Sequence, residues 1–164
     1  MVTIVKAKPA DFDLIWPIFR QIVKTGDTYV YAPDITKAQA KIVWFDPKFL
    51  TFIAKDNSGK VVGAYVIRPN HRDLGNHIAN AAYVVSPKAR GIGVGKALAK
   101  HSFSQAKKAR YKGMQFNFVV STNRVAINLW KSVGFKIVGT VPDAYRHQKL
   151  KKLVPIYIMY KKLN

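Results

Sequence analysis

Three glycines on alternate positions, Gly91, Gly93 and Gly95, lie between the apolar pair Val84-Val85 and a helical pattern that begins near Val94. A strand, a glycine turn and a helix in that order make a phosphate cradle. Backbone N–H groups converge where no side chain intervenes, and the helix points its positive dipole end at the anion they collect. Spacing narrows the ligand. A dinucleotide fold wants G-x-G-x-x-G near the first strand, but Lys96 stands where the third glycine belongs and the turn lies well inside the chain. A Walker loop wants glycine five positions before its Gly-Lys-Ser/Thr. That position is Arg90, and Ala97 follows Gly95-Lys96, so the hydroxyl that would hold magnesium is missing.

Composition limits the rest of the chemistry. The 164 residues include no cysteine, which excludes a thiolate nucleophile, a thiolate metal site and a disulfide framework, so any acyl transfer is direct or uses another nucleophile. No metal is expected at the site. Lysine and arginine number 28 against 8 acidic residues, a formal charge of +20, which suits nucleic acid or an acidic cofactor while leaving most of these cations to an ordinary solvated surface. With 49% hydrophobic and 22% charged residues, residues 1–164 read as one folded domain with a sizeable core. No apolar run reaches membrane-spanning length, and residues 1–7 turn polar too soon for a signal peptide, so the expected setting is the cytoplasm, with no membrane partner.

The elements that must position the cradle follow from periodicity. Residues 3–5 read as an opening strand, and Asp11 as the cap of a helix with Leu14, Ile15, Ile18, Phe19, Ile22 and Val23 on its inner face. After a break at Thr25-Gly26-Asp27 comes a loop bearing Tyr29 and Tyr31, which either line a pocket or cover the core edge, and then a short helix over 36–44. Residues 49–54 and 61–67 form a hairpin around 56–59, and 77–85 a fourth strand leading into the glycine turn. The third helix turns Leu98, Ala99, Ser102, Ala106 and Ala109 inward and Lys96, Lys100 and Lys107 outward. A strand over 114–120 and a helix capped by Asn123 and closed at Val133-Gly134 come next. Strands over 135–141 and 154–160 finish the chain, with a polar segment at 143–149 between them.

With the other glycine motifs set aside, Arg90-Gly91-Ile92-Gly93-Val94-Gly95 resembles the Arg/Gln-x-x-Gly-x-Gly/Ala signature of the GNAT acyltransferase superfamily. That family's later motif is matched by the segment from Asn123-Arg124-Val125-Ala126 through Leu129-Trp130 to Gly134-Phe135, and the order of elements is similar from end to end. A narrower similarity is to the subset containing the yeast azetidine-2-carboxylate (proline analogue) acetyltransferases. It is carried by Arg68-Pro69-Asn70, the segment from His77 to Tyr83, Gln115-Phe116-Asn117, Leu129-Trp130 and Gly139-Thr140-Val141-Pro142. The resemblance implies an α/β (α+β) fold, a mixed, mostly antiparallel sheet of about seven strands flanked by about four helices.

It also implies a reaction, the transfer of an acetyl group from acetyl-CoA directly to an amine of a small molecule. The cofactor would lie between the fourth and fifth strands, held by the backbone of Val84 and Val85, by the amides of Arg90, Gly91, Ile92, Gly93, Val94, Gly95 and Lys96, and by Asn123. The N–H of Val85 or a neighbour would polarise the thioester carbonyl. Lys96, Arg124 and Lys131 either meet the remaining phosphate or belong to a solvated face. An alkyl ammonium has a pKa of about 10 and must lose a proton to attack. The fourth strand, where the family often has a carboxylate, offers His77, Asn80 and Tyr83, which leaves the base unassigned. Asn80 and Asn117, the candidate catalytic pair, either orient the amine through their carbonyl oxygens or satisfy nearby backbone. Trp130 replaces the family's proton-donating tyrosine and reads as packing, with Tyr83 and Tyr145 as substitutes for the donor.

For the acceptor, the resemblance points to segments 26–31 and 143–148, hence to Tyr29, Tyr31, Tyr145 and Arg146, with Arg146 or His147 able to pair a substrate carboxylate. Two rival readings share the fold: an acceptor on a protein terminus or lysine, and a non-catalytic module that binds nucleic acid or an effector. A homodimer is compatible with the sequence.

Overall fold

In the computed structural model, which describes residues 2–163, seven strands form one sheet. They are β1 (Thr3–Lys6), β2 (Leu50–Lys55), β3 (Val61–Pro69), β4 (Ile78–Val85), β5 (Gly113–Val120), β6 (Lys136–His147) and β7 (Lys152–Lys162). Across the sheet the order is β1-β2-β3-β4-β5-β7-β6, and every neighbouring pair is antiparallel except β4 with β5. The helices among the described residues are α1 (Phe12–Val23), α2 (Lys37–Trp44), α3 (Val94–Lys108) and α4 (Arg124–Ser132).

Side chains alternate across each strand, so the sheet divides the core in two. Ile53, Ala64, Val66 and Val84 pack with Phe12, Ile15, Phe19 and Trp44 under α1 and α2. Tyr65, Ile67, Ala79, Met114 and Phe116 pack with Leu98, Ala99, Ile127 and Trp130 under α3 and α4. Covered on both faces, β3 is buried from Val61 to Ile67 and reads as a continuous apolar run. Among the described residues, no helix is long and apolar enough to cross a membrane.

Four expectations change. Leu14 is 50% exposed, because the buried stripe of α1 runs through Phe12, Ile15 and Phe19 instead. The Asp11 carboxylate does not cap α1; it accepts the Lys8 N–H at 2.7 Å and closes the short turn before the helix. Ala109 lies beyond the end of α3 and is exposed. The polar segment at 143–147 is strand, not connection: after an irregularity between Val141 and Tyr145, β6 pairs Tyr145 with Val154, Arg146 with Leu153 and His147 with Lys152. Tyr145 and His147 are buried there and Arg146 is exposed, so the residues that made the segment look like a loop are the outward half of an edge strand.

The feature that positions the site is the β4–β5 pair. Only Ile78 with Gly113 and Ala79 with Met114 are in register, and beyond them the two strands separate. The separation leaves an open gap in the middle of an otherwise continuous sheet.

Candidate active site

The edge that β4 turns toward the gap is fixed by its pairing with β3. The Ser86 N–H bonds to the Val62 carbonyl and the Asn70 N–H to the Ile78 carbonyl, so the even-numbered residues of β4 exchange hydrogen bonds with β3. Val84 therefore directs its N–H and C=O at β3, and its side chain, 1% exposed, lies in the α1–α2 core. The backbone groups aimed into the gap belong to Ala81, Tyr83 and Val85. At Tyr83 they are already met: its N–H donates to Tyr29 Oη at 3.1 Å, and the Tyr29 hydroxyl donates to its carbonyl at 2.5 Å.

The glycine turn lies at the end of β4. Gly91 and Gly93 have φ of +80° and +84°, left-handed values that strain any residue with a side chain, and a Cβ at either would meet nothing within 4 Å. Gly95 is a glycine for another reason, since a Cβ there would stand 3.1 Å from Leu129 Cδ2 where α3 crosses α4. The first bond of α3 runs from the Ala97 N–H to the Gly93 carbonyl, so the N–H groups of Val94, Gly95 and Lys96 have no partner in the helix. Arg90, Ile92 and Lys96 are exposed around them. Free amides, a positive helix end and open space fit a diphosphate.

Toward the other end of β4, three asparagines join across the mouth of the gap. Asn80 and Asn117 each donate through Nδ2 to Asn70 Oδ1, at 2.9 and 2.8 Å, and Gln115 Nε2 donates to Asn117 Oδ1 at 2.9 Å. Asn80 and Asn117 thus come together as expected, through a third residue that sequence reasoning did not assign to the site. The signal for Asn70 was the β3–β4 register: Arg68 pairs with Asn80, and the Asn70 N–H bonds Ile78 just beyond. With these oxygens engaged, Asn80 Oδ1, the Asn70 amide hydrogens and the second amide hydrogen of Asn80 and of Asn117 are left to meet a ligand.

Between the asparagines and the glycine turn lies a cleft of about 280 Å³. Tyr29, Tyr31, Arg68, Asn80, Asn117 and Trp130 line it, and Asn123 borders it while capping α4 by accepting the Ala126 N–H at 3.2 Å. Arg68 is the only charged lining residue among those described. All eight acidic residues of the chain are aspartates, and none lines the cleft. Asp27, in the neighbouring loop, is paired with Lys149 at 2.7 Å. Its burial favours protonation, but hydrogen bonds from Lys149 and Thr25 outweigh that and hold its pKa below the usual range.

The remaining candidates separate. Burial raises the pKa of Tyr29 and Tyr83, so both stay neutral phenols. The Tyr83 hydroxyl bonds Ser102 Oγ at 2.6 Å on α3, away from the gap. The Tyr145 hydroxyl donates to the Tyr29 carbonyl at 3.1 Å, and Arg146 points to solvent outside the cleft. Trp130 stands 4.8 Å from the Tyr83 ring and 4.7 Å from the Phe116 ring between centroids, so it packs the core and walls the cleft together.

Comparison with known proteins bears on the fold and the family. The model of the Acetyltransferase (GNAT) family matches residues 12–135. A GCN5-related N-acetyltransferase from Kribbella flavida is 39% identical in sequence, superposes with a TM-score of 0.93, and covers 99% of this chain and 98% of its own. N-acetyltransferase aca1 of Schizosaccharomyces pombe is 29% identical over an alignment 153 residues long that covers 83% of this chain and 72% of that protein. A phosphinothricin acetyltransferase from Sinorhizobium meliloti, solved in complex with acetyl-CoA, shares the fold at 20% identity, with a TM-score of 0.89 over 99% of this chain and 89% of that one.

Proposed function

The chain belongs to the GNAT acetyltransferase family, and from that premise we propose that it moves the acetyl group of acetyl-CoA directly to the amine of a small molecule. When bound, acetyl-CoA supplies an acyl group already activated as a thioester. The amides of residues 91–96 would hold its diphosphate, the gap edge of β4 its extended arm at Val85 and its thioester at Tyr83, and Asn123 the mouth of the same channel. Lys96, Arg124 and Lys131, all exposed, would add charge at the remaining phosphate.

The observation that carries the acceptor half is the charge of the cleft. Among the described residues it has one cation, Arg68, no carboxylate, and walls of Tyr29, Tyr31 and Trp130. A nearby positive charge and loss of water both disfavour an ammonium ion, so an amine entering this cleft binds in its neutral, nucleophilic form and leaves its proton in solvent. No general base is then required for the attack, and the second proton, which the nitrogen sheds as the amide forms, passes to the departing thiolate or to solvent. Asn80 Oδ1 accepts an N–H of the amine and turns its lone pair toward the donor, while Asn70 and Gln115 keep Asn80 and Asn117 in place. Arg68 suits an acceptor that also carries an anionic group. Trp130 has no proton acidic enough for the departing sulfur, and a thiol pKa of about 8.5 lets the thiolate leave unassisted near neutrality.

The test is thiol release from acetyl-CoA with a panel of small amines, proline analogues included, alongside peptides with free N-termini and lysines. Release with the small amines alone is the expected result. A second reading, an acceptor carried on a protein or peptide, is favoured by an open cleft of about 770 Å³ that shares Arg68 with the first and continues past Asn70, His71 and Arg72. Release with peptides alone would replace the first reading with this one.

A further inference from the structure

Beyond Ala79, the gap edge of β4 faces a missing neighbour strand, and at Tyr83 a side chain has taken the neighbour's place. One phenol supplies an acceptor to the Tyr83 N–H and a donor to its carbonyl, the two bonds that a paired strand would make. That phenol belongs to a loop held from the far side of the gap. The Tyr145 hydroxyl donates to the Tyr29 carbonyl at 3.1 Å, the Gln148 N–H donates to the Gly26 carbonyl at 3.2 Å, and Lys149 pairs with Asp27 at 2.7 Å. Gly26 admits no side chain, because a Cβ there would fall 2.5 Å from Gln148 Cγ, so loop and hairpin tip are closely fitted. The raised pKa of Tyr29 keeps the group a hydroxyl, with a proton to give and a lone pair to receive.

A thioester carbonyl is an acceptor with no proton, and a carrier lying along β4 from the glycine turn meets the gap-facing donors in the order Val85, then Tyr83. We infer that the Tyr29 hydroxyl is a placeholder for the acyl carbonyl of the donor, closing Tyr83 in the free protein and giving up the Tyr83 N–H when the acyl group arrives. Tyr29 is on this account a positioning residue. It keeps a buried donor paired and aligned until the group that needs it is bound. The inference rests on the placement of the donor along β4 proposed above.

Tyr29→Phe removes the hydroxyl and keeps the ring that stacks on Tyr31 at 5.8 Å between centroids. Calorimetry on wild type and Y29F with acetyl-CoA and with free CoA reads the effect. Y29F should bind acetyl-CoA about three- to tenfold more tightly, because one neutral hydrogen bond no longer has to break, while its affinity for CoA stays within about twofold. Hydrogen exchange at the Tyr83 amide gives a second readout that does not depend on turnover. The amide should be protected in wild type, exposed in Y29F, protected again in Y29F by acetyl-CoA, and left exposed by CoA. Equal shifts for the two ligands, weaker acetyl-CoA binding in Y29F, or unchanged Tyr83 exchange would overturn the inference. Tyr145→Phe loosens the same loop and keeps the Tyr29 hydroxyl, so it should move both affinities together; a gain confined to acetyl-CoA there would overturn it as well. Failure of the donor placement itself would look different, with neither ligand sensitive to Gly93→Val.

Discussion

At the glycine turn the groups without a partner in the helix are backbone amides of residues 91–96, whereas at the mouth of the gap the polar groups are the side chains of Asn70, Asn80, Asn117 and Arg68. The first set is made by one continuous segment and two left-handed glycines. The second is gathered from β3, β4, β5 and the β3–β4 connection, each contributing one residue. A site made of backbone constrains conformation and recognises what every donor molecule shares. One made of side chains is free to change with the acceptor.

The widest separation of the two ends should come from Gly93→Val. Gly93 is exposed with open space around it, so the fold survives, but its φ of +84° is strained for valine and the new side chain stands in the cradle. Acetyl-CoA affinity should fall by about a hundredfold or more, with the melting temperature of the free protein lowered only slightly, as calorimetry and thermal unfolding would measure. Asn80→Ala should act on the other end alone. An acceptor kcat/KM reduced about tenfold or more, with the Kd for acetyl-CoA unchanged, would uphold the division, and an equal loss of donor affinity would break it.

The pH profile is a finer probe. A neutral amine exists above its own pKa, so kcat/KM should rise as pH rises and level off at the acceptor's pKa, not at that of a protein carboxylate. Acceptors with different amine pKa values should shift the curve correspondingly; a limb that stays fixed across acceptors would reveal a base in the protein. The smallest effect belongs to Lys149→Ala. The pair with Asp27 is partly exposed and contributes at most about 1 kcal/mol, so the melting temperature should barely move while the acceptor KM rises as the Tyr29 loop loosens. Because the Asp27 pKa is lowered in the folded protein, the contribution of this pair is present above the ordinary aspartate range and disappears as pH falls through the folded value.

The same contrast explains what could be read in advance. The order of strands and helices, the α3 face through Leu98, Ala99 and Ser102, and the Asn123 cap follow from periodicity and local chemistry, and the structure has them. β6 was cut short because an edge strand with Arg146 outside and Tyr145 inside looks polar along its length. Val84 and Val85 are indistinguishable as letters, and only the β3 register says which of them turns toward the gap. The β3–β4 register brings Asn70 to Asn80, but its partner Asn117 lies 47 positions away, a meeting that no local pattern encodes. The Tyr29 contact with Tyr83 spans 54 positions and uses a main-chain partner, so side-chain types give no hint of it.

The two rungs that join β4 to β5, Ile78 with Gly113 and Ala79 with Met114, also have a mechanical meaning. They make the sheet two leaves on a short seam, β1 to β4 on one side and β5 to β7 on the other. Leaves held at one end separate more easily than leaves zipped along their length, so partial opening of the β5–β7 leaf should be among the least costly excursions of the folded state. A ligand lying in the gap acts as a rivet along the open length, and its binding should be felt as resistance to that parting by strands it never touches.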